Sequence, residues 1–380
     1  MQDQGDSGIS VGAGDLAVPL EAPKRGGWRE GWRSDWRSSA GAVPLAWAGG
    51  VSATPETPAY VNLGDALSPV MVALVSGRPV ARAPMTGRGE RMAAIGTIGQ
   101  GLSGGTVDLW GTGCSPNADP LAPGPKEPYR PPAGTRLQLA ATRGPYAARL
   151  LSGGDFPALP YGDPALLLPR FHHRPVEKRW DLGVVLHLAE LADRQLTVTP
   201  KPGLARYEVP EEESGIRLIT MVAPPTLAAI SDKLDELRAC RRIVSTSLHG
   251  IAIAIAYGIP CLYVAPGPGE PGLSAVALDP NGAVWPDGVN ARFPDLYAGL
   301  GAREMAFWVQ PKRRATDWGA LIDAVDRAGA CAVDPAQMDA LAAACPAGHR
   351  PLDVPQGDLR RATVLDAIPH LPGRRRTILS

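Results

Sequence analysis

Cysteine is scarce and does not pair by pattern. The five residues Cys114, Cys240, Cys261, Cys331 and Cys345 are an odd number and form no C-x-x-C, which excludes a disulfide framework and a zinc ribbon and points to a reducing compartment. An excess of one charge is also missing. Lys+Arg 38 balances Asp+Glu 38, so no net field draws the chain to nucleic acid or an acidic membrane, and nucleic acid is not an expected partner. The most apolar run, Ile251 to Val264, is too short to span a bilayer and is cut by Gly258 and Pro260. No Lys or Arg precedes Lys24 and no continuous apolar core precedes Pro23, so a signal peptide is not expected and the expected location is cytoplasmic.

What is present fits an ordinary globular chain. A length of 380 residues favours two domains, and 44% hydrophobic with 20% charged residues suffices for a buried core. Gly 44 and Pro 40 imply many loops. Four segments are expected: a Trp/Arg-rich N-terminal extension (1–42), an N-terminal α/β domain (43–175), a C-terminal α/β domain (176–346) and a C-terminal tail (347–380). In the extension, Trp28, Trp32 and Trp36 recur every fourth residue beside Arg29, Arg33 and Arg37, a spacing that either builds one helical face for docking or belongs to a poorly ordered arm. These basic ends, with Arg374 to Arg376, allow at most peripheral contact with the inner face of a membrane.

Between these ends strands and helices alternate, which means parallel sheets. Val43 to Trp47 reads as a strand. After Asn62-Leu63-Gly64-Asp65, the apolar residues Leu67, Val70, Met71, Leu74 and Val75 follow helical spacing up to Gly77. Runs at 92–95, 107–110 and 137–140 end in small polar loops, the last in Thr142-Arg143-Gly144 with Pro145 placed to start a helix. A second set begins with the strand 183–186, which ends at His187, and continues with a strand at 217–222, a helix opened by Thr226 and a strand at 242–245. The segment after Ser247 alternates Ile251, Ile253 and Ile255 like a strand, but flanking strands and Gly258 favour a buried helix. Two such sheets in sequence suggest an interdomain cleft, with ligands at the carboxyl ends of strands.

The candidate site residues lie at those ends. Ser245-Thr246-Ser247-Leu248-His249-Gly250 joins a strand to a helix, so free amides and the helix dipole can hold a phosphate or carboxylate, Ser245 and Ser247 can cap or donate, and His249 can change protonation with the anion. Helix capping explains Ser247 equally well. Arg143 suits bidentate contact with an anion. Asn62, Gly64 and Asp65 combine a close-approach glycine with a carboxylate, and capping again accounts for the same residues. His187 ends an apolar strand, where a buried imidazole needs a partner or a ligand. The Gly267 to Gly272 loop lacks phosphate-loop spacing and reads as a turn, and His172-His173 reads as surface, with no metal site.

The chain resembles the polysaccharide pyruvyl transferase family, in particular members similar to the ketal-forming enzymes of succinoglycan-type exopolysaccharides. The pieces that carry the likeness occur in family order: Asn62 to Pro69, Ile95 to Ile98, Trp110 to Gly113, Thr142 to Pro145, Gly162 to Ala165, Val184 to His187, Ser247 to Pro260 and Arg292 to Tyr297. The resemblance implies two Rossmann-like parallel-sheet domains in a glycosyltransferase-B-like arrangement. It also implies transfer of an enolpyruvyl group from phosphoenolpyruvate to a glycan or lipid-linked oligosaccharide acceptor, as a cyclic pyruvate ketal, with no cofactor. It assigns His249 as the functional histidine and sets Arg143 and His187 near the cleft. Arg292 and Thr97 join the donor-binding set, and Asp65 is the expected base for the sugar hydroxyl. Many relatives carry arginine where this chain has Ser247. That difference leaves room for a catalytically silent glycan-binding protein, and a nucleotide-sugar glycosyltransferase with Glu270 at a ribose is the other alternative.

Overall fold

The computed structural model describes residues 41–48, 52–54, 57–279 and 285–362. The tryptophan repeat at 28–36 and the arginine run at 374–376 lie outside them. The protein is a mixed α/β molecule. β1 (Val43–Ala46), β2 (Ser52–Thr54) and β3 (Thr57–Asn62) lead into α1 (Leu63–Ser76). Asn62 caps that helix through its side chain, and Gly77 ends it in the left-handed region at φ 67°, a conformation that costs glycine little.

β4 (Val80–Arg82), β5 (Glu90–Ala93), β6 (Gly105–Thr112) and β7 (Thr135–Thr142) complete a five-stranded sheet of order β4-β1-β5-β6-β7. Every pairing in it is parallel. α2 (Pro145–Ser152) follows, with proline in its first turn.

The second sheet is built from β8 (Leu182–Leu186), β9 (Ile216–Thr220), β11 (Ile243–Ser245), β12 (Cys261–Ala265), β13 (Gly272–Ala277) and β14 (Glu304–Val309). Their order is β13-β14-β12-β11-β8-β9; all pairs are parallel except β13 against β14. α3 (Leu227–Arg238) starts at its Thr226 cap. α4 (Leu248–Ala256) settles the ambiguous isoleucine alternation: all three isoleucines are buried, so no polar face exists to set a strand period.

α5 (Arg292–Gly299), α6 (Trp318–Ala328) and α7 (Pro335–Ala343) complete the helices. Strand side chains alternate between layers as pleating requires. Leu45 and Val185 join the central core with α1, α3 and α4, whereas Ala46 and Val184 face two outer clusters.

Three features depart from the sequence reading. β1 does not feed α1 directly, because β3 intervenes and pairs antiparallel with β10 (Val222–Ala223) in a separate small sheet. His172 is not on the surface: it is fully buried, with Nε2 3.0 Å from Asp235 Oδ1, while His173 is exposed. Residues 350–362, from the stretch read as a tail, pack back on the molecule through Arg350 and Leu352 amides bonded to α1 carbonyls and a buried Leu359.

One ion pair joins the end of the first sheet to the helix that follows β13. Arg143, 1% exposed, donates through Nε to Asp295 Oδ2 at 3.0 Å, and its Nη2 is also 3.0 Å from that oxygen. Asp295 Oδ1 accepts from the Ala147 amide at 3.0 Å. Asp295→Asn should therefore destabilise the protein by about 3–5 kcal/mol by stranding a buried guanidinium. Replacing both partners with apolar residues should cost less, as read by urea unfolding of the two variants.

Candidate functional site

The polar groups meet at the carboxyl ends of the strands. β5 runs on to Gly96 and Thr97, β6 to Gly113, β7 to Arg143, β8 to His187 and β11 to Ser247 and His249. At the start of α4, the Ser245 hydroxyl accepts from the Ser247 amide at 2.9 Å and contacts the Val185 and Ser247 carbonyls. Ser245 is thus committed to backbone. Ser247 opens the helix without a side-chain cap bond, so its buried hydroxyl is not spent on capping, contrary to the simplest reading of that residue.

His249 is 9% exposed, and its buried Nε2 has no hydrogen-bond partner among the described residues. Its ring lies against the backbone of α1: a methyl group on Gly64 would overlap the imidazole. Burial, with the positive fields of Arg292 and Arg143 and the neighbouring His187, pushes the His249 pKa down to about 3, so the imidazole is neutral. Burial and Arg292 likewise lower His187 to about 4. His187 Nδ1 accepts from the Ala189 amide at 3.2 Å, which leaves the proton of a neutral ring on Nε2.

Asn62 does what a cap does, accepting from the Gly64 amide at 3.3 Å. Asp65 faces the site: burial raises its carboxyl to about 7, against a hydrogen bond from Asn62 and the charge of Arg292. A Cβ added at Gly96 would stand 3.8 Å from Asp65 Oδ1, which puts the Gly96–Thr97 turn beside that carboxyl. Thr97 Oγ1 accepts from Arg143 Nη1 at 2.8 Å.

The two arginines differ. Arg143 is turned to Asp295 and Thr97. Arg292 uses Nε on Asn290 Oδ1 at 3.0 Å, and among the described residues its terminal nitrogens have no acceptor. The fold therefore gathers Asp65, Arg143, His187, His249 and Arg292 into one electrostatically connected cluster.

Sequence reasoning missed Asp295, the counter-charge to Arg143, and Asp163, whose buried Oδ2 has no partner among the described residues and which feels the charge of that same arginine. It also missed Glu190, which accepts from Thr246 and Tyr207 and pairs with Arg206. Asp163 and Asp295 stood inside the quoted motifs, each at a helix start, a position where carboxylates collect for capping as well as for function. Glu270 is 82% exposed on its side chain and paired to Arg314.

A groove of about 580 Å³ lined by Cys261, Leu273, Tyr297, Glu304, Arg327 and Cys331 holds none of the site residues. Among the described residues no group of three or more His, Cys, Asp or Glu is placed to hold a metal, and no helix is long and apolar enough to cross a membrane. The five cysteines are free thiols.

Two outcomes follow. Gly64→Ala should destabilise the chain by roughly 1–3 kcal/mol through overpacking against His249, whereas the exposed Gly319→Ala, whose Cβ meets Asp317 only at 3.6 Å, should not; urea midpoints compare them. Because the folded chain keeps His249 neutral down to about pH 3, unfolded chains bind a proton there first. Stability contributed by this group is full above its ordinary pKa of 6.5 and is lost as pH falls toward 3. His249→Gln should flatten that part of the profile between pH 7.5 and 5, measured by unfolding at each pH.

No curated protein and no solved structure matches the chain. The sequence model described as polysaccharide pyruvyl transferase matches residues 135–268, a segment that holds Arg143, His187, Ser245, Ser247 and His249, while Asn62, Gly64, Asp65, Thr97 and Arg292 are brought to it from outside by the fold. Over residues 135–268, therefore, the chain is similar to the polysaccharide pyruvyl transferase family, and that match supports the resemblance carried by the ordered motifs.

Proposed function

We propose that the chain transfers an enolpyruvyl group from phosphoenolpyruvate to two hydroxyls of one sugar in a lipid-linked polysaccharide precursor. The product is a cyclic pyruvate ketal, and phosphate is released. The observation that carries this reading is that, among the described residues, the buried Nε2 of His249 at the start of α4 and the terminal nitrogens of Arg292 at the start of α5 have no partner, while the Arg292 charge acts on His249. A phosphate and a carboxylate need several donors that face one place in a water-poor setting. Arg292, the first amides of α4, the Ser247 hydroxyl and His187 Nε2–H supply them. Arg143 contributes its field but holds Asp295.

The chemistry follows from the charge states. The protein's own groups hold His249 neutral and leave Asp65 close to half-protonated at neutral pH. A bound dianion reverses the cause of the low histidine pKa, because an adjacent negative charge favours imidazolium. His249 then delivers its proton to the methylene carbon, which becomes the methyl group. The first sugar hydroxyl attacks C2 while Asp65 takes its proton. The C2–O bond to phosphate breaks, the phosphate leaves with the electron pair, and the second hydroxyl attacks C2 and gives its proton to His249, neutral since it protonated the methylene carbon. No electrons are exchanged with a redox group. In this reading the two parallel sheets belong to two domains, 43–175 and 176–346, in a glycosyltransferase-B-like pair, with the acceptor glycan between them and the enzyme on the cytoplasmic side.

Incubation with phosphoenolpyruvate and bacterial glycan acceptors should release phosphate and add a pyruvate ketal, detected by colorimetry and by NMR of the glycan methyl group. Absence of both across several acceptors would overturn the reading. His249→Ala should lower turnover roughly 100-fold or more. With Asp65 as base, kcat/KM should rise with pH through about 7 as that carboxyl loses its proton, and Asp65→Asn should remove the rise.

A further inference from the structure

Glu190 ends the short 3-10 turn Leu188–Glu190, directly after His187. Its carboxylate is fully engaged. Oε1 pairs with the buried Arg206, Oε2 accepts from Tyr207 Oη at 2.7 Å, and Oε2 also accepts from Thr246 Oγ1. The Thr246 oxygen in turn accepts from the His187 amide at 2.9 Å. The Glu190 amide returns to the His187 carbonyl at 2.9 Å, and the Thr246 amide reaches the Val185 carbonyl at 3.1 Å. Two turns that carry site residues are therefore joined through one carboxylate. One follows β8 and holds His187; the other follows β11 and leads through Ser247 into His249.

We propose that Glu190 is a positioning residue for the transfer reaction, fixing Thr246 and thereby the direction of the first α4 amides and the place of His187; this rests on the function proposed above. Three donors converge on it: a guanidinium, a phenol and a threonine hydroxyl. A carboxylate has lone pairs for all three, whereas an amide has one acceptor oxygen and would turn an NH2 group toward donors. The threonine hydroxyl has a single proton. While Glu190 takes it, the oxygen lone pairs stay free to hold the His187 amide. Arg206 is kept in place by the Gln310 carbonyl at 3.4 Å and by its guanidinium 4.9 Å over the Tyr207 ring, so the cation that holds the carboxylate is itself anchored. Displacement of reacting groups by about 1 Å can cost about 100-fold in rate.

The test uses the full chain with Glu190→Gln, Thr246→Val and Thr246→Ser. Histidine ring resonances in ¹H–¹⁵N spectra should move for His187 and His249 in Glu190→Gln and Thr246→Val, while those of the exposed His173 and His349 stay. Phosphate release from phosphoenolpyruvate should fall about 10- to 100-fold, with a raised KM for that donor and an unchanged KM for the glycan. Thr246→Ser should restore both readouts, and the double variant Glu190→Gln/Thr246→Val should be no worse than either single one. If the His187 and His249 signals of both Glu190→Gln and Thr246→Val overlay those of the parent while only Tm falls, Glu190 serves stability alone and the proposal is overturned. If the parent releases no phosphate, the transferase reading fails by itself, and the histidine spectra still decide whether Glu190 positions the two turns.

Discussion

Arg143 and Asp295 are nearly sealed from water, 1% exposed each, and the surrounding chain is shaped to let them meet. A methyl group on Gly113 would overlap the Arg143 guanidinium, and one on Gly144 would overlap Asp295. Burial raises the Asp295 carboxyl, and the Arg143 charge with the Ala147 and Tyr146 amides holds against that rise. Such a pair adds little to stability over an apolar substitute, but it is costly to break on one side only. Its effect is geometric: it fixes the end of β7 and the start of α2 against α5, and so brings Arg292, the first residue of α5, to the turns that follow β8 and β11.

The charge economy of the site follows from that pairing. With Arg143 matched by Asp295, Arg292 keeps terminal nitrogens without an acceptor among the described residues; burial, then the Arg292 charge, keeps His249 and His187 neutral, with Arg143 adding to the effect on His249. Burial lifts two carboxyls toward neutrality, Asp65 to about 7 and Asp163 to about 6. A site with neutral histidines, an available arginine and open helix amides is set to take up an anion and to gain a proton with it. An imidazolium at His249 with no anion beside it would be an unpaired buried charge, at a larger desolvation cost.

The alternation of strands and helices, the Asn62 and Thr226 caps, the Gly77 stop and the proline start of α2 were readable because each is decided within one turn of chain. The motif positions were readable too, since strand ends carry the loops that reach a ligand. Partners could not be read. Nothing near Arg143 in sequence indicates Asp295, 152 residues later, and a threonine between two serines does not reveal a bond to Glu190. His172 looked like surface because its neighbours are polar, yet Asp235 and the Leu359 amide enclose it.

By itself the sequence determined the local conformation of the segments and the kinds of groups at their ends, because hydrophobic period and capping act over a few residues. The tertiary structure alone decided that Arg143 is spent on Asp295, that β3 pairs with β10, that His249 rests on the bare backbone of Gly64, and which groups are charged. Those properties depend on desolvation and on fields between atoms far apart along the chain, and only packing sets those distances.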